Sequence, residues 1–277
     1  MITLIQEKMD VLRNSERRVA SFVLEKPEEV LYLSVSELAA RTGTSDPTVI
    51  RFCRALGLKG FQDFKIELAR RLVPTSKAIH EEAESGDEPA ALIQKVFRAN
   101  AAALSQTMRV LDPVEVGRAL DALERAGRIE FYGLGGSGVV ALDAYHKFFR
   151  LGIPCTALVD PHMQVMSASI LRPGDVVIAI SHSGASKDIV ESLAVAKGAG
   201  ATTIGIFSHA TCPVARAVDI RLLCDTREKG LKPEPMSSRI AQLSVIDVLA
   251  VGLSLRRKEV VVANLGKARR ALANKRY

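Results

Sequence analysis

Apolar residues follow two different patterns along this chain. Through the first seventy residues they recur at helical spacing, as at Val19, Phe22 and Val23, which predicts an all-helical region. Beyond residue 126, short apolar runs alternate with helical patterns. The runs predict strands at residues 129–134, 155–159, 175–180, 202–207 and 220–224. Strands alternating with helices indicate an α/β fold with a doubly wound parallel sheet, and a long apolar helix from Ser237 to Leu255 follows it.

An acidic stretch with proline and glycine separates the two patterns. Residues 81–89 (EEAESGDEP) combine charge with chain-breaking residues and resist burial, as linkers do. We therefore predict three segments: an all-α domain over residues 1–75, a linker over 76–90, and a second domain over 91–277 that ends in a basic helix.

The first domain carries the pattern of a helix-turn-helix. Ser34 and Glu37 form a capping box, and the short helix that they begin is expected to end at Gly43. Asp46 is expected to be the N-cap of a second helix, with Pro47 in its first turn and Gly57 after its end. The second helix of such a motif enters the major groove of DNA, leading with its N-terminal residues.

The polar residues of this second helix and of the segment that follows it are candidates for DNA contacts. Those expected to face outward and reach base edges are Ser45, Asp46, Thr48 and Arg51, and those placed for phosphates are Arg54, Lys59 and Lys65. A helical hairpin that serves only for dimerisation is the alternative.

The distribution of charge along the chain is consistent with binding to double-stranded DNA. The chain has a net charge of +7. Residues 1–77 carry +3, residues 78–120 carry −3, residues 121–254 are neutral, and residues 255–277 carry +7. A basic N-terminal segment is typical of a region that contacts DNA, and a neutral central segment is compatible with binding of a small molecule. The basic tail is either a solvated helix end or a further contact with nucleic acid.

The remaining composition predicts a cytoplasmic protein. The cysteines are scattered without a Cys-x-x-Cys pair, which is typical of reduced core thiols, and the histidines lack the spacing of a metal site. The N-terminus lacks the pattern of a secretory signal. No stretch free of charges is long enough to span a bilayer, so we expect no membrane span. We also expect no metal and no cofactor.

Two glycine- and serine-rich turns each follow a predicted strand and open a helical pattern. They are residues 133–138 (GLGGSG) and 181–186 (SHSGAS). Backbone N–H groups at a helix N-terminus attract an anion, and glycine allows close approach. The candidate ligand-binding residues are Gly135, Ser137, Ser181, Ser183, Gly184 and Ser186. Ser186 is equally an ordinary N-cap, and Lys187 adds charge nearby.

A dinucleotide site is a rival interpretation of the first turn. Gly133, Gly135 and Gly138 satisfy the G-x-G-x-x-G spacing, and Asp160 follows at a suitable distance to bind a ribose. However, Asp160 precedes Pro161 and can simply cap the next helix. The second hydroxyl cluster is also not required by a dinucleotide. A compact sugar phosphate therefore suits the turns better than the cofactor of a dehydrogenase.

The motifs together resemble those of the RpiR-type bacterial transcriptional regulators, which join a helix-turn-helix domain to a sugar isomerase (SIS) domain. The resemblance covers nearly the whole chain. It is carried by residues 36–39 (SELA), 45–53 (SDPTVIRFC), 57–65 (GLKGFQDFK), 133–137 (GLGGS) and 181–184 (SHSG).

This resemblance implies a function and site residues. It implies that Ser137, Ser181, Ser183 and Ser186 bind the phosphate of a sugar. Within the family the chain looks closest to repressors of glucose catabolism, which implies a phosphorylated sugar acid such as 2-keto-3-deoxy-6-phosphogluconate as effector and a homodimer or higher oligomer on a palindromic operator. A sugar-phosphate aldose–ketose isomerase is the alternative. Glu228 and Glu234 match no catalytic motif, so we expect a regulator rather than an enzyme.

Overall fold

The computed structural model describes residues 1–31, 33–72, 83, 86–224 and 236–273. The described residues divide into two compact units, one formed by those up to Ile93 and the other by those from Gln94 onward. Most of the predicted linker lies outside the described residues, so the domain boundaries stay a prediction.

Short helices build the first unit. They are α1 (Ile2–Lys8), α2 (Asn14–Glu25), α3 (Pro27–Val30), α4 (Val35–Arg41), α5 (Asp46–Ala55) and α6 (Phe61–Leu72). Phe52 of α5 and Phe64 of α6 meet edge to face, with ring centroids 5.4 Å apart, and both are fully buried. Val19 of α2, Leu38 of α4 and Val49 of α5 belong to the same core. Burial of these apolar faces stabilises helices that are too short to be stable alone.

Eight more helices and a sheet follow among the described residues. The helices are α7 (Pro89–Val110), α8 (Pro113–Glu124), α9 (Gly136–Phe148), α10 (Pro161–Ser169), α11 (Lys187–Gly198), α12 (Pro213–Ala217), α13 (Met236–Arg256) and α14 (Lys258–Leu272). The strands are β1 (Ile129–Gly133), β2 (Cys155–Leu158), β3 (Val176–Ser181), β4 (Thr202–Phe207) and β5 (Ile220–Leu223). Each predicted strand is confirmed to within one residue at either end. The basic C-terminal helix is confirmed as α14.

The strands form one parallel sheet in the order β2-β1-β3-β4-β5. One face packs against α8, α9 and α13 around Phe131 and Ile178, and the other packs against α10, α11 and α12 around Val177 and Leu193. The predicted doubly wound α/β fold is therefore confirmed. In such sheets ligands bind beyond the carboxyl ends of the strands, where the strand order reverses. That point lies between β1 and β3.

One helix among the described residues, α13, is long and apolar enough to cross a membrane, although it is not free of charges, since it contains Arg239 and Asp247. One side of α13 is part of the sheet domain's core, where Ala241, Val245, Leu249 and Leu253 are fully or almost fully buried. This burial accounts for the apolar residues on that side of α13, whereas Val251 and Leu255 on the same helix are exposed.

The cysteines are free thiols, as predicted. Cys53, Cys212 and Cys224 are buried and Cys155 is half-buried. Burial raises the pKa of Cys53 and Cys224 to about 12 each and that of Cys155 to about 11. The thiolate, which is the reactive form, is therefore disfavoured, and these cysteines act as apolar core residues.

Candidate DNA-binding face and phosphate-binding turns

The helix-turn-helix begins with the predicted capping box. The Ser34 hydroxyl accepts a hydrogen bond from the Glu37 backbone N–H at 3.1 Å, and the Glu37 carboxylate accepts one from the Ser34 backbone N–H at 2.8 Å. Helix α4 then ends at a turn in which Gly43 has a φ of +60°, a conformation that favours glycine. Gly57, with a φ of +85°, follows α5 in the same way.

Helix α5 begins one residue earlier than predicted. Ser45, not Asp46, is its N-cap residue, and the Asp46 carboxylate instead accepts a 2.6 Å hydrogen bond from the hydroxyl of Ser36 in α4. Asp46 therefore links the two helices of the motif. Ser45, Arg51 and Arg54 are exposed, and so is Lys59 in the following turn.

Thr48 does not face outward as predicted. It is only 4% exposed, because it shares a face of α5 with the buried Phe52 one turn later. Its hydroxyl lies 3.1 Å from that of Ser45 and accepts a 3.0 Å hydrogen bond from the Arg51 guanidinium. Thr48 thus contacts the exposed side chains of Ser45 and Arg51 from the buried side of α5.

Lys65 is also placed differently from the prediction. Its ammonium group donates a 3.2 Å hydrogen bond to the Leu33 carbonyl and lies 5.4 Å from the centre of the Phe61 ring. Burial lowers the pKa of Lys65 below its usual value. The side chain therefore joins the end of the α3–α4 connection to α6 and is not placed for a phosphate.

Glu16 is a residue of this face that the sequence analysis missed. It lies in the first turn of α2 and is 6% exposed. One carboxylate oxygen accepts a 3.1 Å hydrogen bond from the Arg13 backbone N–H, and the other lies 3.7 Å from Nε of Arg51. The available signal was its position as the third residue of a helix, where glutamate caps the N-terminus.

The two glycine- and serine-rich turns lie side by side in the second unit. Gly133 at the end of β1 pairs with Ile180 on β3, so the turn that follows β1 neighbours the one that follows Ser181. A side-chain carbon on Gly133 would overlap the Ser137 carbonyl, because the first turn of α9 folds back on the strand. Gly135, with a φ of +54°, is the N-cap residue of α9. Both turns therefore reach the predicted edge of the sheet.

The candidate hydroxyls differ in exposure and in hydrogen bonding. Ser137 and Ser186 are half-buried, Ser181 is 6% exposed, and Ser183 is exposed and accepts a 3.3 Å hydrogen bond from the Ala185 N–H. Ser186 occupies the N-cap position of α11, but its hydroxyl makes no capping hydrogen bond. Capping consequently leaves this hydroxyl available.

The loop after β4 adds residues that the sequence analysis did not assign to the site. Ser208 lies directly beyond β4, and its hydroxyl is 3.0 Å from Nδ1 of His182 in the β3 turn. The rings of His182 and His209 are 6.0 Å apart. The signal for both was their position after a strand at the same edge. Glu228 and Glu234 lie outside the described residues.

Asp160 has the capping role that was weighed against a ribose contact. Its carboxylate accepts a 2.9 Å hydrogen bond from the Met163 N–H at the start of α10. The strand order also differs from the 3-2-1-4-5-6 order of the classical dinucleotide fold. Both observations favour a phosphorylated small molecule over a dinucleotide. Among the described residues, no cluster of histidine, cysteine or acidic side chains is arranged to hold a metal.

Concave surfaces are present away from these turns. One of about 420 Å³ lies between α8 and α13, and one of about 350 Å³ lies on the first unit beside α2 and α4. The candidate phosphate site is therefore defined by two open turns and their helix N-termini, not by either cavity.

Comparison with known proteins agrees with this architecture. The sequence matches the helix-turn-helix domain of the rpiR family over residues 1–75 and the SIS domain over residues 122–252. It is 43% identical to the HTH-type transcriptional regulator TTE0211 of Caldanaerobacter subterraneus subsp. tengcongensis, over 96% of this chain and 94% of that protein. It is 38% identical to the HTH-type transcriptional regulator HexR of Pseudomonas aeruginosa, over 99% of this chain and 95% of that protein.

A solved structure shows the same fold over the whole length. The NanR protein of Vibrio vulnificus, complexed with ManNAc-6P, superposes with a TM-score of 0.82 at 24% identity and covers 99% of this chain and 98% of that one. A helix-turn-helix domain followed by an SIS domain defines a class of transcriptional regulator. This chain belongs to that class, the RpiR family, as its motifs predicted.

Proposed function

We propose that this regulator is a repressor of glucose-catabolism genes whose hold on operator DNA is controlled by a phosphorylated sugar acid such as 2-keto-3-deoxy-6-phosphogluconate. The observation that carries the proposal is the occurrence in one chain of a helix-turn-helix with an exposed arginine and of two phosphate-type turns on adjacent parallel strands. The similarity to HexR supports the class of target gene, and the ManNAc-6P bound by NanR supports a phosphorylated sugar as ligand.

In the DNA-binding half, α5 enters the major groove. Ser45 and Arg51 reach base edges, with Asp46 at the start of the helix, while Arg54 and Lys59 contact phosphates and fix the register. Thr48 acts from within the domain by holding Arg51. Two copies of the chain, as a homodimer or within a larger homo-oligomer, present two such helices to the half-sites of a palindrome.

In the effector-binding half, the phosphate group lies between the two turns. Gly135 and Gly184 allow the backbone to approach it. The hydroxyls of Ser137, Ser181, Ser183 and Ser186 donate hydrogen bonds to its oxygens, and the N-termini of α9 and α11 stabilise its negative charge. His182, within the second turn, and Lys187, at the start of α11, are the candidates for binding the carboxylate of a sugar acid.

Effector and DNA binding are linked reciprocally in this proposal. A coupling free energy of about 1–3 kcal/mol changes DNA affinity about 5- to 150-fold. Such a protein acts in the cytoplasm on DNA, with no membrane partner.

The test is a DNA titration with the full chain. Duplexes are first enriched from a randomised pool, and their affinity is then measured alone and with 2-keto-3-deoxy-6-phosphogluconate, 6-phosphogluconate, glucose 6-phosphate, unphosphorylated gluconate or inorganic phosphate. We expect one phosphorylated acid to lower the DNA affinity at least fivefold, and gluconate to leave the affinity unchanged. Unchanged DNA affinity with every compound would remove the effector half of the proposal.

A sugar-phosphate isomerase is the second candidate, because the His182–His209 pair at the same edge offers titratable groups. The two candidates are separated by incubating the chain with each sugar phosphate and measuring aldose–ketose conversion. Turnover together with failure to enrich any duplex would favour the isomerase.

A further inference from the structure

The carboxylate of Glu16 joins two helices of the first unit. It is 6% exposed and lies in the first turn of α2, which packs against α5. A buried carboxylate is costly unless it is paired and hydrogen-bonded. Here one oxygen accepts from the Arg13 N–H and the other faces Nε of Arg51 at 3.7 Å.

Capping of α2 explains only one of these contacts. A glutamate at this helix position needs one oxygen for the backbone N–H, and it needs no partner on another helix. The second oxygen instead begins a connected series of polar contacts. Arg51 donates to the Thr48 hydroxyl at 3.0 Å, and that hydroxyl lies 3.1 Å from the hydroxyl of Ser45. The series runs from inside the domain to the exposed start of α5.

We propose that Glu16 is a positioning residue that holds Arg51 for base recognition and thereby helps to set the DNA sequence preference. The guanidinium of Arg51 is planar and carries five N–H donors. A carboxylate that contacts Nε leaves N–H donors on the two terminal nitrogens free to bind another partner. These donors can form the paired hydrogen bonds with O6 and N7 of guanine. Holding the side chain beforehand reduces the rotamer entropy that is lost on binding. This inference rests on the proposed role of α5 in DNA binding.

Glu16→Gln separates positioning from structural support. The amide oxygen of glutamine can still accept from the Arg13 N–H, so the cap of α2 is kept, whereas the charge that faces Arg51 is lost. Glu25→Gln is the matched control, since it removes the same charge from an exposed position on the same helix. Arg51→Ala marks the complete loss of the contact.

The experiment enriches duplexes from a randomised pool with the wild-type chain and with each variant, and sequences the products. Affinities for the wild-type consensus, for single-base variants of it and for an unrelated duplex are then measured, together with thermal unfolding. For the wild type we expect guanine to be preferred at a position where Arg51→Ala loses the preference. For Glu16→Gln we expect this preference to fall about two- to fivefold, the range of a partly exposed ion pair.

The other measurements distinguish this effect from damage to the fold. Glu16→Gln is expected to keep the melting temperature and to bind the unrelated duplex equally well or more tightly, because an acidic charge near the DNA is removed. An unchanged guanine preference in Glu16→Gln, or an equal loss in Glu25→Gln, would overturn the inference alone. Failure of the wild type to enrich any sequence would overturn the DNA-binding role and the inference with it.

Discussion

Gly184 and Cys212 pack so closely that a side-chain carbon on Gly184 would overlap the Cys212 sulfur. Gly184 has a φ of +62°, and its carbonyl accepts a 2.9 Å hydrogen bond from the Val214 N–H at the start of α12. The serine turn after β3 is therefore held against the loop after β4. This contact positions Ser183 and Ser186 at the edge of the sheet.

Gly184→Ala is expected to destabilise the second unit. Overlap with Cys212 contributes about 1–3 kcal/mol and the positive φ contributes about 1 kcal/mol more. Urea unfolding followed by circular dichroism measures the change. Cys212→Gly alone removes a buried side chain, so it is the reference for the double variant. Adding Gly184→Ala to Cys212→Gly should cost less than adding it to the wild type, because the overlap is relieved and only the backbone strain remains. Equal stability of Gly184→Ala and the wild type would show that the turn is not held in this way.

Arg51→Ala and Arg54→Ala are predicted to weaken DNA binding in different ways. Loss of a bidentate base contact at Arg51 costs about 1–3 kcal/mol at one base position and relaxes the preference there. Loss of a phosphate contact at Arg54 weakens all duplexes alike and reduces the salt dependence by about one unit of slope. Affinities for matched and mismatched duplexes at several salt concentrations distinguish the two. Identical behaviour of the two variants would contradict these roles.

Two serines at helix N-caps are predicted to respond differently to substitution by alanine. Ser34→Ala removes a hydroxyl that caps α4 and should lower the free energy of unfolding by about 0.5–2 kcal/mol. Ser186→Ala removes a hydroxyl without a capping bond and should change stability much less. It should instead weaken the binding of the phosphorylated acid, measured by calorimetry. Ser169→Ala, at the far end of α10, is the control for ligand binding.

Asp219 provides a pH-dependent contribution to stability. Burial raises its pKa, but hydrogen bonds from Lys197 and Thr203 and the charge of Lys197 outweigh this, and the pKa lies below its ordinary value of 3.8. The stabilisation is therefore present above the pKa of the unfolded chain and is lost as the pH falls through the lower folded value. Asp219→Asn is expected to cost about 1–2 kcal/mol near neutral pH.

That difference between Asp219→Asn and the wild type should shrink as the pH falls below about 4, which is the usual range of an aspartate pKa. Urea unfolding at a series of pH values measures it. Asp188→Asn, at an exposed position in the same unit, should change the free energy of unfolding less. A constant difference across the acid range would contradict the assigned pKa shift.

The sequence was sufficient to predict the fold because its signals are local. Each strand is a short apolar run, and the helix over Lys187–Gly198 begins directly after the second serine-rich turn, as its pattern predicted. The capping box at Ser34 and the glycines at the ends of α4 and α5 were also readable. Adjacency of the two serine turns followed from the general rule that parallel strands end at one edge of the sheet.

The remaining details depend on packing between elements that are distant in sequence. Helical spacing led to the prediction that Thr48 faces outward, but Thr48 is buried because α2 and α4 both pack against α5. The inward path of Lys65 depends on the position of the Leu33 carbonyl, and Ser208 becomes part of the site only when β4 lies beside β3. The contact between Glu16 and Arg51 spans thirty-five positions in the chain.

The buried side of α5 has a consequence for redesign. Grafting only the solvent-facing residues of this helix onto a relative would leave its arginine without the acid that approaches it from α2. If Glu16 positions the guanidinium of Arg51, transferring the operator preference to a relative requires α2 as well as α5. Changes of target during the divergence of these regulators would then be recorded partly in residues that never touch a base.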